Sequence, residues 1–238
     1  SRGSAAHILP SLELYDYRSP TMHVIRNVPA STDIAAAKAL VDASKDDGTE
    51  EDKHVIAFVN GTVDRSRNID TIIETAEMLL AMDKDIARFK IATNKAIQTT
   101  KTGDLPQNFI HLGGLPQRES LAEYARCDLV LTFCDADMVA SYKYAWPNKW
   151  GDAIAMGTPI VVNGDMVHAR QFIEAGAGFD CPCGDAQAFA DLLIALHEDR
   201  DRLKAASNAI EGFQDTFRPF DIELAAILNT VEADTKSG

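Results

Sequence analysis

Positive charge is scarce in this chain. Its 23 lysines and arginines face 36 aspartates and glutamates, for a formal net charge of −13. A field of that sign repels polyanions, so neither a nucleic-acid backbone nor an anionic membrane is an expected partner. An anionic ligand must be met by a local basic cluster. Long apolar runs are missing too: none approaches the ~20 residues of a membrane-spanning helix. The N-terminus shows no signal-peptide pattern, and the expected location is cytoplasmic. Cys127, Cys134, Cys181 and Cys183 form no Cys-x-x-Cys pair, and Cys181 and Cys183 stand too close for a comfortable disulfide. Reduced thiols acting as small hydrophobes are expected. Gly-x-Gly-x-x-Gly and Walker A loops are absent after the first regular strand, which disfavours a nicotinamide-dependent oxidoreductase. Asp135-Ala-Asp137 has no nearby histidine or further carboxylate, so no metal site is expected.

What is present is a regular alternation. Of 238 residues, 46% are hydrophobic and 25% charged, a balance able to bury a sizeable core. The leader to about Pro20 reads as irregular, and His23 to Pro29 as a short strand entering a turn. Ser31 to Ser44 reads as a capped, alanine-rich helix, and Lys45 to Lys53 as a charged loop. Strands are then expected at His54–Asn60, Phe89–Thr93, Phe109–Leu112, Leu129–Phe133 and Pro159–Val162. Between them lie helical patterns: Ile69, Ile72, Ile73, Ala76, Leu79 and Leu80 recur at helical spacing through Met82, and Pro116–Arg126 opens on proline. A helix through Ala175, a short segment Gly178–Cys181 and three final helices complete the chain, with Asp185 capping the first and Pro219 separating the last two. This alternation predicts an α/β fold: a Rossmann-like open parallel sheet with helices on both faces, and ligands at the carboxyl ends of its strands. The expected division is an irregular leader over residues 1–22 and one domain over 23–238, with C-terminal helices across 185–234.

Two stretches carry candidate chemistry. In Asn60-Gly61-Thr-Val-Asp-Arg65-Ser-Arg67-Asn68, a glycine allows close backbone approach and two arginines precede a helix, a seat suited to a diphosphate. A solvated loop would look the same. The second is Tyr144-Ala-Trp-Pro147-Asn-Lys149-Trp-Gly-Asp152, running to Gly157 and Val162. Proline opens a helix whose free N–H groups favour an anion, and glycine ends it. Lys149 and Asp152 share a face, either as a cation for phosphate beside a carboxylate for sugar hydroxyls or as a plain surface ion pair. Tyr142, Tyr144, Trp146 and Trp150 are either a sugar or base platform or the apolar rim of a cleft.

In this order the pieces resemble the nucleotide-sugar-binding half of GT-B-fold retaining glycosyltransferases (glycosyl transferases group 1, family 4-like). Val24-Ile-Arg-Asn27 is similar to the family's segment entering the donor domain. Phe58 to Asp70 resembles "v-G-R-l-x-x-x-K-G-x-d", and Ile110-His-Leu-Gly113-Gly-Leu115-Pro resembles "v-x-f-l-G-x-v-p". Tyr124-Ala-Arg-Cys-Asp128 resembles "y-a-x-a-D". Pro147 to Val162 resembles "P-n-K-x-x-E-y-m-A-x-G-x-P-v-v". The likeness spans about residues 22 to 232.

The resemblance implies roles. Arg67 takes the place of the family's diphosphate-binding lysine. Thr62 stands where the family has arginine, so Arg65 is expected to substitute, with Lys149 completing a set that stabilises the diphosphate leaving group. Gly61 and Asn148 belong to the same nucleotide site. Leu115 marks the backbone contact to the base, with Gln117 or Arg118 adding an edge contact. Asp152 falls at the second glutamate of a pair that holds ribose hydroxyls, and Tyr144 replaces the first. A nucleotide-diphosphate sugar is then the donor substrate, with no separate cofactor and no metal, and a hexose passes to a glycan or other acceptor. The acceptor-binding domain is expected outside this chain. The alternative is a non-catalytic nucleotide-binding or scaffolding module on the same fold, favoured by the changes at Thr62 and Tyr144.

Overall fold

In a computed structural model the described residues are 6–9, 19, 21–44 and 53–237. The loop expected from Lys45 lies, up to residue 52, outside them, as does most of the leader. The centre of the molecule is β3 (Val55–Asn60), whose first five residues are all buried. Side chains alternate across a strand, so Val55, Ala57 and Val59 enter one core while Phe58 enters the other. Burial of both faces removes the polar alternation of a half-exposed strand, which is the mark of a covered parallel sheet.

Around β3 stand β4 (Ala87–Ala92), β5 (Phe109–Gly113), β6 (Leu129–Leu131), β7 (Ile160–Val162) and β8 (Gly178–Asp180). Their order is β5-β4-β3-β6-β7-β8, and every pairing is parallel. The chain walks outward from β3 in one direction, returns, and walks outward in the other. The order therefore reverses between β3 and β6, and the loops leaving those two strands diverge to open a crevice at their carboxyl ends.

Two helical layers cover the sheet. On one face, α2 (Ile69–Ala81) buries Ile69, Ile72, Ile73, Ala76 and Leu79 at helical spacing, beside α6 (Ala186–Glu198) with Phe189, Leu193 and Leu196. The other face carries α3 (Gln117–Ala125), α4 (Asn148–Met156) and α5 (Arg170–Glu174), with Tyr124, Trp150 and Phe172 fully buried. Next come α7 (Asp201–Glu211), packed on α4, and α8 (Phe220–Ser237), which touches α1 (Ser31–Ala43).

Two features differ from the sequence expectation, and the aromatic cluster divides. The leader contains β1 (His7–Leu9), which pairs in parallel with β2 (Met22–Val24) in a separate two-stranded sheet. Three residues are too few to show a period, so the strand exists only through its partner. Ser31 does not cap α1 with its own side chain: Ala30 holds the cap position, and the Ser31 N–H and hydroxyl donate to Asp221 of α8. Of the aromatic cluster, Trp150 is a core residue, and Trp146 packs into the same core while also lining a cleft, as the rim alternative has it. Trp150 is fully buried, stacks edge-on with Trp146 at 5.2 Å and donates through Nε1 to Thr132 Oγ1 at 2.8 Å.

Candidate functional site

A cleft of about 840 Å³ lies at the carboxyl ends of β3 and β6, where the strand order reverses. Its walls come from five places: the segment Asn27–Ala30, the turn after β3, the start of α3, the lead-in and first turns of α4 from Ala145, and Phe220 at the start of α8. A smaller hollow of about 370 Å³, lined by Thr93, Asn94 and Leu115, adjoins it through Asn60, Gly61 and Gln117.

Gly61 leaves β3 at φ +81°, a left-handed backbone that glycine adopts without strain; a Cβ there would meet nothing within 4 Å, so conformation and not crowding selects it. The chain then makes a single helical turn, Arg65–Arg67, whose Asp64 side chain accepts from the Arg67 N–H at 3.2 Å and from the Ser66 hydroxyl at 2.7 Å. The Arg67 guanidinium donates to Cys134 Sγ and lies 4.2 Å over the centre of the Tyr142 ring.

Pro147 fixes the entry to α4, and Gly157 ends it at φ +73°. Gly151 faces the Asn27 backbone so closely that a Cβ would stand 2.1 Å from the Asn27 carbonyl oxygen. Glycine here lets residues 27–28 cross directly over α4, and Asn27 Nδ2 donates to Asn148 Oδ1 at 2.7 Å across the same junction. Lys149 and Asp152 both line the cleft but form no ion pair with each other among the described residues.

Both ionisable groups are shifted by this setting. Burial, and then repulsion from Arg67, lower the Lys149 amine to about 8. Burial raises the Asp152 carboxyl to about 7, against the opposing pull of Tyr124, Gln117 and Lys149. The buried Tyr124 hydroxyl stands near that carboxyl, but their geometry falls short of a hydrogen bond. Two half-buried cations and a buried carboxyl thus line one cleft, a set suited to a ligand with anionic and hydroxyl groups.

Residues 53–199 match the sequence profile of the family Glycosyl transferases group 1. The chain belongs to that family. No curated protein sequence matches it. Among solved structures, this group 1 chain is similar to Anabaena HepE in complex with UDP and glucose, at 17% identity and TM-score 0.64, over 97% of this chain and 64% of that one. It is also similar to sucrose-phosphate synthase from Thermosynechococcus elongatus, at 12% identity and TM-score 0.62, over 97% and 58%. A glycosyltransferase from Rickettsia africae matches at 12% identity and TM-score 0.62, over 97% and 64%. At these identities the likeness shows the fold. The chain spans about three-fifths of the length of these solved chains.

The structure gathers Gly61, Thr62, Arg67, Gln117, Asn148, Lys149 and Asp152 around the one cleft, with Leu115 in the adjoining hollow. It does not bring Arg65, Arg118 or Tyr144 there. Arg65 is 58% exposed and pairs with Asp70 at 3.5 Å. Arg118 pairs with Asp33 of α1 at 2.9 Å, and Tyr144 is 41% exposed on a short turn. Sequence reading passed over Asn60, which donates to Ser120 at 2.7 Å at the cleft floor, and Cys134, which anchors Arg67. Asn60 ends an apolar strand ahead of glycine, a polar break that marks a strand's carboxyl end. Nothing in the sequence around Cys134 distinguishes it from a core thiol.

Among the described residues, no group of three or more His, Cys, Asp or Glu could hold a metal ion, and no helix is long and apolar enough to cross a membrane.

Proposed function

We propose that this chain is the donor-binding domain, one half of a GT-B fold, of a retaining, metal-independent glycosyltransferase. The observation that carries the reading is that Arg67 and Lys149, from two neighbouring walls, line one cleft together with the buried carboxyl of Asp152. A nucleoside diphosphate fits that arrangement. The diphosphate would lie between the Arg67 fork and the Lys149 amine over the first turn of α4, where the helix N-terminus adds its own positive end. The Asp152 carboxylate would accept hydrogen bonds from ribose hydroxyls. The base would enter the hollow at Leu115, where Gln117 offers an edge contact.

As the bond between the anomeric carbon and the diphosphate oxygen breaks, negative charge grows on the leaving group. Arg67 and Lys149 are already placed and partly dehydrated, so they stabilise that charge without reorganisation. Two fixed cations supply what a divalent ion supplies elsewhere, so no metal is invoked. The solved relative holds UDP and glucose, which makes UDP the first nucleotide to test. The acceptor and its binding domain lie outside this chain, and alone it is expected to bind nucleotide weakly and transfer little hexose.

A second reading is a non-catalytic module on the same fold. Thr62 in place of arginine, and the positions of Arg65 and Tyr144 outside the cleft, favour it. Calorimetric titration with UDP separates the two: saturable binding lost in Arg67→Ala supports the donor site, and no binding under any condition supports the module.

A further inference from the structure

Arg67 poses a physical problem. It lies in the same cleft as Lys149, close enough to depress the lysine's proton affinity. Two like charges facing one cleft repel, and a long flexible side chain escapes toward water or toward the acidic loop around Asp64. Something must hold the guanidinium inward before any anion arrives.

The Tyr142 ring lies beneath the guanidinium, 4.2 Å from centre to centre. The Tyr142 hydroxyl stands 3.4 Å from Ser66 Oγ, on the turn that carries Arg67. That turn is tied in addition to the segment after β6, through Asp135 N–H donating to the Ser66 carbonyl at 3.0 Å. Tyr142 itself belongs to the short turn Ala140–Tyr144, which leads directly into Pro147 and Lys149. One aromatic side chain thus joins the loop bearing one cation to the segment bearing the other.

We propose that Tyr142 is a positioning residue for the diphosphate site, a face on which Arg67 is held by cation–π attraction while its outer N–H groups stay aimed at the ligand. Buried Cys134 holds the guanidinium by a second contact, accepting a hydrogen bond from Nη1. Its thiol is held above the ordinary range by burial, so it meets Arg67 as a neutral acceptor and does not cancel the charge meant for phosphate. The arrangement also accounts for arginine at this position: a planar guanidinium stacks and still presents a fork, whereas an ammonium offers a point charge with no face to stack. The inference rests on the donor-site reading above.

The test is titration of the chain with UDP in Tyr142→Phe, Tyr142→Leu, Arg67→Ala and the double variant Tyr142→Leu/Arg67→Ala. Tyr142→Leu is expected to raise Kd about tenfold, within the range for a partly desolvated cation–π pair. Tyr142→Phe keeps the ring and is expected within about twofold of wild type. In the Arg67→Ala background, removing the ring should cost nothing more. Side-chain NMR of the ligand-free protein adds a readout independent of nucleotide: the Arg67 Nε–H resonance should lose its ring-current shift in Tyr142→Leu and keep it in Tyr142→Phe. Equal Kd in Tyr142→Leu and wild type, equal losses in Phe and Leu variants, or additive losses in the double variant would overturn the inference and leave the donor site standing. Absence of nucleotide binding by wild type overturns the donor-site reading itself, and the proposal with it.

Discussion

Replacing Lys149 with methionine should make the protein more stable in the absence of nucleotide and weaken its binding of nucleotide. Lys149 is half-buried on α4, and its amine is lowered from 10.5 to about 8 by burial and by Arg67. At 1.36 kcal/mol per pH unit, that drop corresponds to a ceiling of ~3 kcal/mol of strain in the folded state at pH 7. The sign follows from the depressed value. The unfolded chain holds the proton more tightly, so the cost is full below pH 8 and fades as pH rises toward 10.5. Methionine keeps most of the lysine stem and drops the charge. Solvent screening reduces the gain, leaving about 1–2 kcal/mol, or a rise in Tm of roughly 2–8 °C for a domain of this size. Binding moves the other way: one charge-assisted contact to a diphosphate is worth about 1.5–3 kcal/mol, a loss of ~10- to 100-fold in affinity. Differential scanning calorimetry at pH 7 and pH 10, with UDP titration of the same samples, reads both. A variant less stable than wild type at pH 7, or one binding UDP with unchanged affinity, would refute the reasoning.

Nucleotide affinity should follow a bell in pH, highest between about 7 and about 8, because Asp152 must be ionised and Lys149 protonated. Titrations from pH 6 to pH 9.5 should show Asp152→Asn flattening the acid limb and Lys149→Met the alkaline one. Asp152 titrates high in the folded state, so its ionisation costs stability as pH rises from 3.8 to about 7, and Asp152→Asn should raise Tm at pH 8 more than at pH 4. Gly151→Ala would ordinarily strengthen a helix by ~1 kcal/mol. Here the new Cβ meets the Asn27 carbonyl at 2.1 Å, so urea unfolding should show a net loss of about 2 kcal/mol or more. Trp150→Phe empties part of a closed core and removes the donor to Thr132 Oγ1, whose hydroxyl still donates to Val161, for a loss of about 2 kcal/mol in the same assay.

Much of this was legible in the chain because burial leaves a direct imprint. Strands covered on both faces read as unbroken apolar runs, so β3 and its parallel neighbours stand out, and proline and glycine punctuate α4 at both ends. The site was legible where position alone decides it: Gly61 and Arg67 follow a central strand, and Lys149 and Asp152 follow a helix start. What failed depended on partners far away in sequence. The donors of Ser31 find Asp221, 190 residues on, and no local pattern announces that. Arg65 and Arg67 look equivalent, but in a tight single turn two residues of separation send them in different directions, one to Asp70 and one into the cleft. The aromatic cluster divides for the same reason: Trp146 is claimed by Phe172 and Phe217 from later elements, while Tyr144 stays at the surface.

The most direct test of a metal-independent donor site is titration of this chain with UDP, GDP, dTDP and ADP, each with and without magnesium, repeated on Asp152→Ala. The expected result is saturable binding of one nucleotide, unchanged when magnesium is removed and at least several-fold weaker in the variant. Binding that requires magnesium, binding indifferent to Asp152, or binding of none of the four would contradict it.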